Sequence, residues 1–296
     1  MKNDQEFTRE MEKCRSNIDK RLSELLVSSK EICAGLIESM KYSLLAGGKR
    51  IRPIMCVKFC EAAGGNPENA LDAACAVEMM HTYSLIHDDL PCMDNSDLRR
   101  GKPSNHVKFG EYTATLAGDA LQATAFEVLL NSALPSNIVV EMTRILAQSS
   151  GAHGICGGQF LDLQSAWKTP EVNVLTEIHN LKTAALVSAA ARIGVIAAGG
   201  TEEQVEAAEK YALAVGFSFQ VRDDVLDITA IERELGKPFG SDLENNKLTF
   251  ATLLGIDKCE ALIYTETAKA VSALNEEFTN TGFLVWFTHM LADRKY

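Results

Sequence analysis

The sequence predicts an all-α protein on three grounds. Apolar residues recur at the helical period of 3.6 over long Ala-, Leu- and Glu-rich segments, and almost nothing alternates with period two. Gly- and Pro-containing breakers separate these segments. No Ser/Pro/Gly-rich linker or shift in composition divides the 296 residues. We therefore expect one domain over residues 1–296, built from about a dozen helices.

Two of the predicted helices lead into acidic motifs. The first runs from about Pro67 to Leu90 and the second from about Thr201 to Ile228, each with apolar residues near the helical period. The one β-branched cluster, residues 138–140, follows a Ser136 capping signal. That signal favours the start of a helix over a strand.

Composition restricts the possible partners. Hydrophobic residues make up 46% of the chain, enough for a sizeable core, and no run of 18 or more apolar residues predicts a membrane span. The first 21 residues are rich in charge without an apolar stretch, so we expect no secretory signal and a cytoplasmic protein. A formal net charge of -11 argues against nucleic acid as a partner but permits an anionic substrate where basic residues cluster.

The acidic motifs are the most informative feature. The first acidic motif is DDLPCMD at residues 88–94, and the second is DDVLD at residues 223–227. Each closes an apolar helical stretch, where clustered carboxylates repel one another and the helix dipole disfavours negative charge. Oxygen ligands with room for water suit Mg²⁺, which is usually shared with a substrate phosphate. The sequence therefore predicts a diphosphate held through Mg²⁺ between two acidic walls, the alternative being a solvated acidic surface.

Spacing indicates which carboxylates cooperate. Asp223 and Asp227 are four residues apart and share a helical face one turn apart, while Asp224 points elsewhere. Asp88 and Asp94 are six apart and would diverge on an unbroken helix. Because a proline breaks the helix at position 91, the following residues can fold back towards Asp88.

Basic residues accompany both the N-terminal region and the first acidic motif. Residues 47–53 read GGKRIRP, and residues 99–101 read RRG. Guanidinium groups match phosphate oxygens bidentately, and lysine acts as a compact positive charge. Around two predicted Mg²⁺ motifs, these clusters indicate two anionic substrates.

With these motifs the chain resembles the trans-isoprenyl diphosphate synthases of the short-chain, farnesyl/geranylgeranyl type. The likeness also rests on residues 81–94, on LRRGKP at 98–103 and on GGQ at 157–159 with Asp162, and it extends to KT at 182–183, FQVRDDVLD at 219–227, GK at 236–237 and NK at 246–247. It implies an all-α homodimer with the isoprenoid synthase-type helical bundle. Each subunit would enclose a deep apolar cavity with three Mg²⁺ at its mouth.

The resemblance also implies residue roles. Isopentenyl diphosphate would be held by Lys49, Arg52, His81 and Arg100. The allylic diphosphate would be held by Arg99, Lys182, Gln220, Lys237 and Lys247, with Thr183 close by. The metals would be held by Asp88, Asp94 and Asp223, supported through water by Asp89, Asp224 and Asp227. The expected catalytic set is Asp88, Asp94, Arg99, Lys182, Asp223 and Lys237.

The implied reaction is head-to-tail condensation of isopentenyl diphosphate with dimethylallyl or geranyl diphosphate through an allylic carbocation. Tyr83 and Ser84 lie five and four residues before Asp88, where side chains can form the floor of the elongation pocket. A tyrosine at Tyr83 resembles bacterial farnesyl synthases, so farnesyl diphosphate is the expected product. Packing of Tyr83 between helices is the alternative interpretation of that residue.

Three other functions stay open. Geranylgeranyl diphosphate synthase is the nearest. An inactive regulatory subunit would normally lack part of an aspartate motif or the flanking arginines, and neither is missing here. A terpene cyclase or squalene-type synthase can share the fold, but residues 47–53 argue against it. Asn95 and Ser96 depart from the run of acids that many relatives have there, which leaves metal affinity open.

Overall fold

The computed structural model describes residues 2–26, 33–165, 172–235 and 249–294, and in these ranges the chain is almost entirely helical. The predicted all-α class is confirmed. The helices are α1 (Lys2–Leu25), α2 (Ala34–Leu44), α3 (Ile51–Ala62), α4 (Glu68–Asp88), α5 (Asn105–Phe109), α6 (Glu111–Leu130), α7 (Ser136–Ser150), α8 (Ile155–Ser165), α9 (Val172–His179), α10 (Ala185–Ala197), α11 (Glu202–Leu235), α12 (Phe250–Leu254), α13 (Ile256–Glu277) and α14 (Gly282–Ala292), with a π-helical segment at Asn180–Ala184.

The three helices predicted from the apolar period and the capping signals are present in the structure. The predicted helix over Pro67 to Leu90 is α4, and Asn66 Oδ1 accepts a hydrogen bond from the Glu68 N–H at its start (3.1 Å). The cluster at residues 138–140 lies in α7, so the prediction of a helix there is confirmed. The predicted helix over Thr201 to Ile228 is α11, but it continues to Leu235. The expectation that the second acidic motif closes a helix is therefore wrong, because no helix breaker follows Asp227 until Gly236.

A short β-hairpin between α4 and α5 was not predicted. Strands β1 (Leu98–Arg99) and β2 (Lys102–Pro103) pair antiparallel. The two residues between them, Arg100 and Gly101, have φ angles of 54° and 72°. Two consecutive positive φ values are typical of the tight turn that matches the twist of a hairpin. Two-residue strands are too short to produce a period-two pattern in the sequence.

The chain separates into two compact units. Unit 1 consists of Met1–Ala147 and Ala189–Glu202, and unit 2 of Gln148–Ser188 and Glu203–Tyr296. The single domain over residues 1–296 therefore stays a prediction.

In unit 1, α4 is the central helix. It packs along α6 and α3, and most of its side chains are buried, including Val77, Met79 and Met80. Helices that contact neighbours on several sides are apolar around most of their circumference, which explains why α4 has no sharply polar face. The first acidic motif stands at the C-terminal end of this helix.

In unit 2, one apolar cluster joins the second half of α11 to its neighbours. Val221, Val225 and Ile228 of α11 lie in it, as do Phe250 of α12 and Ile263 of α13. The second acidic motif is interleaved with the α11 members, so burial of this face fixes the orientation of the motif's carboxylates.

One stretch is long and apolar enough to cross a membrane. It is Val172–Ala197, of which 67% of the most apolar window is buried inside the protein. The core helix of a protein that does not cross a membrane meets the same test.

Candidate active site

The first acidic motif folds back on the end of α4. The Asp94 N–H donates to the Asp88 carbonyl oxygen (2.8 Å), and the Asn95 N–H donates to the Leu90 carbonyl oxygen (3.1 Å). The predicted break at Pro91 is confirmed, because α4 ends at Asp88 and the next six residues form turns. Asp88 is half-buried and Asp94 is exposed, so two carboxylates of the motif lie within reach of solvent ligands.

Asp89 differs from its neighbours because it is buried. Its side chain is 3% exposed, and Arg99 Nε lies 3.1 Å from each of its two carboxylate oxygens. Arg99 belongs to strand β1, so the hairpin brings this guanidinium to the motif. The structure therefore pairs two predicted site residues with each other. This contact favours a role for Asp89 in positioning Arg99.

The turn of the hairpin places Arg100 against the glycine pair. The Arg100 guanidinium donates to the Gly47 carbonyl oxygen. A Cβ atom on Gly48 would lie 2.8 Å from Arg100 Cζ, so any other residue there would displace the end of the arginine side chain. Gly48 also has a φ of 126°, where other residues are strained. Gly47 also has a positive φ, of 89°, so the backbone conformation explains both glycines, and the guanidinium packs on the second.

Arg52, His81 and Arg100 form a positively charged group in unit 1. Arg52 Nη1 lies 3.4 Å from His81 Nε2, and within the described residues the buried Arg52 Nε has no hydrogen-bond partner. Burial and then the charges of Arg52 and Arg100 hold the pKa of His81 well below its ordinary value. Burial also lowers the pKa of Arg52. A buried donor beside unneutralised guanidinium groups is a site that an anion would stabilise.

The three cations at 49, 50 and 52 have different environments. Arg50 is buried and contacts Glu78 (2.6 Å), Asp19 (2.8 Å) and the Leu44 carbonyl oxygen (2.7 Å). It therefore has a structural role in joining α1, α3 and α4. Lys49 is exposed. Of the predicted isopentenyl diphosphate residues, the structure brings Arg52, His81 and Arg100 together and leaves Lys49 towards solvent.

Tyr83 and Ser84 are both buried on α4. The Tyr83 ring packs edge-on against His87, with ring centroids 5.6 Å apart. His87 Nε2 in turn lies 3.0 Å from the Thr115 carbonyl oxygen of α6. Ser84 Oγ donates to the His81 carbonyl oxygen (2.9 Å) and so is engaged with its own helix. The Tyr83 contacts fit packing between helices and leave its predicted role in chain length untested.

The second acidic motif lies on the uninterrupted helix α11 of unit 2. Asp223 is half-buried, Asp227 is exposed and Asp224 is buried, so the prediction that Asp224 points elsewhere is confirmed. Asp223 Oδ1 lies 2.5 Å from Arg294 Nη2. In both acidic motifs the second aspartate is buried and the first and last are accessible.

Asp224 links three elements of unit 2. Its Oδ2 accepts from the Phe250 N–H at the start of α12 (2.8 Å), and its Oδ1 accepts from Gln220 Nε2 (3.3 Å). Gln220 Oε1 accepts from Thr183 Oγ1 (3.4 Å). Thr183 and Gln220, both predicted near the allylic diphosphate, thus contact each other, and their role there stays a prediction. The family resemblance implies that Asp224 contacts metal through water. In the structure its carboxylate instead accepts hydrogen bonds from protein donors, which favours a role in positioning Gln220 and the start of α12.

Lys182 lies in the π-helical segment Asn180–Ala184. Its Nζ contacts Asp162 Oδ2 of α8 at 2.7 Å. Single π-helical turns are frequent at functional sites, because they alter the direction of side chains within an otherwise regular helix. No role was predicted for Asp162. Its position shortly after the GGQ motif is the sequence signal that could have marked it as a site residue.

Gly158 makes the close packing of α8 against this segment possible. A Cβ atom on Gly158 would lie 2.3 Å from the Lys182 backbone nitrogen and 2.6 Å from Lys182 Cα. We expect Gly158→Ala to lower stability by about 1 to 3 kcal/mol and to reduce activity, because the backbone carrying Lys182 must shift. Urea unfolding and turnover would measure both effects. Gly35→Ala is the matched control, since Gly35 has nothing within 4 Å of its added Cβ; equal stability of the two variants would contradict the packing argument.

The family follows from comparison with known proteins. The family model for polyprenyl synthetase matches residues 34–280. The chain belongs to the polyprenyl synthetase family. The resemblance to isoprenyl diphosphate synthases is thereby confirmed.

Curated relatives are similar over most of the chain. Geranylgeranyl pyrophosphate synthase 3, chloroplastic, of Arabidopsis thaliana is 51% identical over 227 residues, which are 75% of this chain and 63% of that protein. Geranylgeranyl pyrophosphate synthase, chloroplastic, of Capsicum annuum is 51% identical over 75% of this chain and 61% of that protein. The chain thus spans slightly less than two thirds of the length of these relatives.

Solved structures of the family match almost end to end. An FPP/GFPP synthase from Zymomonas mobilis superposes with a TM-score of 0.87 at 33% identity, covering 97% of this chain and 99% of that chain. A geranyltransferase from Legionella pneumophila gives 0.86 at 35% identity, covering 98% of both chains. The predicted isoprenoid synthase-type fold is therefore confirmed.

The carboxylates fit Mg²⁺ when substrate oxygens complete its ligands. In the described ranges no group of three or more His, Cys, Asp or Glu residues could hold a metal unaided. Each acidic motif instead offers two accessible carboxylates, Asp88 with Asp94 and Asp223 with Asp227. Mg²⁺ commonly binds through one or two carboxylates plus water and substrate phosphate.

Two of the predicted site residues, Lys237 and Lys247, lie outside the described residues. Arg294, which contacts Asp223, was not predicted. It stands 67 positions (294 − 227) after Asp227 in the sequence, so no local sequence pattern links Arg294 to the second acidic motif.

Proposed function

We propose that this protein is a Mg²⁺-dependent prenyltransferase that condenses isopentenyl diphosphate head-to-tail with allylic diphosphates. The observation that carries the proposal is the group formed by Arg52, His81 and Arg100. It lies in the same unit as the first acidic motif, on α3, on α4 and in the hairpin turn that follows. A diphosphate supplies the negative charge that this group lacks.

The residues have distinct tasks in this reaction. Arg52, whose Nε has no partner among the described residues, and Arg100 hold the diphosphate of isopentenyl diphosphate, and neutral His81 contributes a hydrogen bond. Asp88, Asp94 and Asp223 would hold magnesium, with three ions expected. Bound magnesium neutralises the departing diphosphate. Lys182 contacts the allylic diphosphate as its C–O bond breaks.

In the proposed reaction, the allylic C–O bond ionises to diphosphate and an allylic cation. The isopentenyl double bond then attacks that cation to form a new C–C bond. Loss of a proton to the departing diphosphate restores a double bond. The product is a diphosphate one isoprene unit longer, and no covalent bond to the protein forms.

For the product we propose geranylgeranyl diphosphate, the alternative in the sequence interpretation, ahead of farnesyl diphosphate. The names of relatives at 51% identity support the longer product. Tyr83 supports the shorter one, since a buried ring at this position can block a growing chain. Incubation with isopentenyl and dimethylallyl diphosphates and Mg²⁺, followed by chromatography of the dephosphorylated products, distinguishes them. Absence of any condensation product with Mg²⁺ would contradict the proposed function.

Tyr83→Ala tests whether this residue limits the product. If its ring closes the pocket, the variant opens an apolar void that accepts hydrocarbon, and the product should gain at least one isoprene unit. Tyr83→Phe keeps the ring and should leave the product unchanged. Chromatography of all three proteins gives the answer. An unchanged product from Tyr83→Ala would mean that Tyr83 only packs between helices.

We further propose that the protein acts as a homodimer. One face of α6 carries an apolar seam of Tyr112, Leu116, Ala123, Phe126 and Leu130, at steps of four, seven, three and four residues, in which Phe126 is half-buried and the other four are exposed. That spacing is typical of helices that pack against a partner helix. Tyr112 is 77% exposed and Leu130 61%, which is unusual for such side chains. Sedimentation should give twice the 32.3 kDa of one chain.

The other functions have less support. A regulatory subunit would have lost a catalytic motif, whereas both acidic motifs and Arg99-Arg100 are present. A terpene cyclase would not need the Arg52, His81 and Arg100 group. The predicted cytoplasmic location stays a prediction, and the curated relatives at 51% identity are named chloroplastic.

A further inference from the structure

Arg294, two residues beyond the end of α14, is seated on the second acidic motif. Its Nη2 lies 2.5 Å from Asp223 Oδ1 and donates to the Phe219 carbonyl oxygen at 2.8 Å. Its guanidinium carbon lies 3.7 Å from the centroid of the Phe219 ring. The side chain is 10% exposed, so this is a packed contact. A guanidinium that stacks on a ring and pairs with a carboxylate loses much of its freedom.

The chain before Arg294 is fixed by a second arginine of α11. Arg222 Nε donates to the Ala292 carbonyl oxygen at 2.6 Å, and its other two nitrogens contact both carboxylate oxygens of Glu260 at 2.6 and 2.7 Å. This bidentate pair joins α11, α13 and the end of α14. The position of Arg294 is therefore set by the fold of unit 2.

We propose that Arg294 is a positioning residue that competes with divalent metal for Asp223. The inference rests on the proposed function, in which Asp223 holds magnesium. A guanidinium is always charged and donates to the lone pairs that a metal would use. With Arg294 in place, the attraction of Asp223 for a metal is reduced. Tight metal binding at the second acidic motif then requires the oxygens and negative charge of a substrate diphosphate.

Metal binding without substrate tests the proposal. Mn²⁺ serves as the probe, measured by electron paramagnetic resonance in an Asp88→Ala background, which removes a proposed ligand of the first acidic motif. Arg294→Gln should bind Mn²⁺ about tenfold more tightly than the background protein, because an opposite charge beside a carboxylate changes its affinity for cations by at least that factor. Arg294→Lys retains the charge and should stay close to the background. Phe219→Leu keeps Arg294 but loosens its seat and should give a smaller gain.

Two controls separate competition from a general change of charge. Lys269→Gln removes one cation from α13 of the same unit, where it pairs with Glu266, and should not alter Mn²⁺ affinity. Adding Asp223→Asn to Arg294→Gln should abolish the gain. A gain that survives Asp223→Asn, or one that Lys269→Gln reproduces, would overturn the proposal.

Unchanged or weaker Mn²⁺ binding in both Arg294→Gln and Phe219→Leu would also overturn it. Failure of the proposed function has a different signature, namely no condensation product from the otherwise unaltered protein with both diphosphates and Mg²⁺. If Arg294→Gln does not fold, as judged by circular dichroism, Phe219→Leu and Arg294→Lys decide the question alone, and equal Mn²⁺ affinity in those two proteins would reject the competition.

Discussion

Replacing Asp88 or Asp223 with alanine should reduce turnover by at least about 10² to 10³-fold, the usual effect of losing a group that stabilises charge in a transition state. Asp88 is accessible at the end of α4, and Asp223 is accessible on α11. Neither position closes a hydrophobic core, so we expect both variants to fold. Steady-state turnover with saturating substrates and Mg²⁺ measures the loss.

The matched control for Asp88 is Asp257, which is exposed in the first turn of α13 and outside both acidic motifs. Asp257→Ala removes the same charge and should retain nearly full turnover. The buried partners of the motifs should behave differently from the accessible aspartates, because Asp89→Ala leaves Arg99 without its carboxylate and also lowers stability. Near-normal turnover of Asp88→Ala or Asp223→Ala would refute the metal mechanism.

Arg52→Ala and Lys182→Ala should damage different kinetic parameters. Arg52 belongs to the proposed isopentenyl diphosphate group, so its loss should raise the KM for that substrate about tenfold or more with a smaller change in kcat. Lys182 is proposed to contact the substrate that ionises, so its loss should lower kcat by about 10²-fold. Initial rates with each substrate varied in turn separate the two.

Conservative variants sharpen this comparison. Arg52→Lys keeps a charge but not the guanidinium geometry, and it should restore only part of the affinity. Asp162→Asn tests whether the contact with Lys182 Nζ at 2.7 Å orients the ammonium group, and it should reduce kcat less than Lys182→Ala does. Equal effects of Arg52→Ala and Lys182→Ala on the same parameter of the same substrate would show that the two diphosphate sites are wrongly assigned.

The fold class, most of the helix positions and the acidic motifs were predictable from the sequence alone. These follow from local physics: the 3.6-residue apolar period, the exclusion of proline from helix interiors and the spacing of Asp223 and Asp227 by one helical turn. The fold-back at Pro91 was predictable for the same reason, since a broken helix allows Asp94 to reach the Asp88 carbonyl oxygen.

The packing of the helices determines which aspartates of each acidic motif are accessible and which arginines have ion-pair partners. Asp88 and Asp89 are adjacent in sequence, yet Asp89 is buried because the hairpin brings Arg99 over it. Arg50 and Arg52 are two residues apart, yet Glu78 and Asp19 neutralise Arg50, while Arg52 Nε has no partner within the described residues. The contact of Arg294 with Asp223 joins residues 71 positions apart, as 294 − 223. Burial and long-range charge interactions depend on which helices pack together, and a local sequence pattern does not specify that packing.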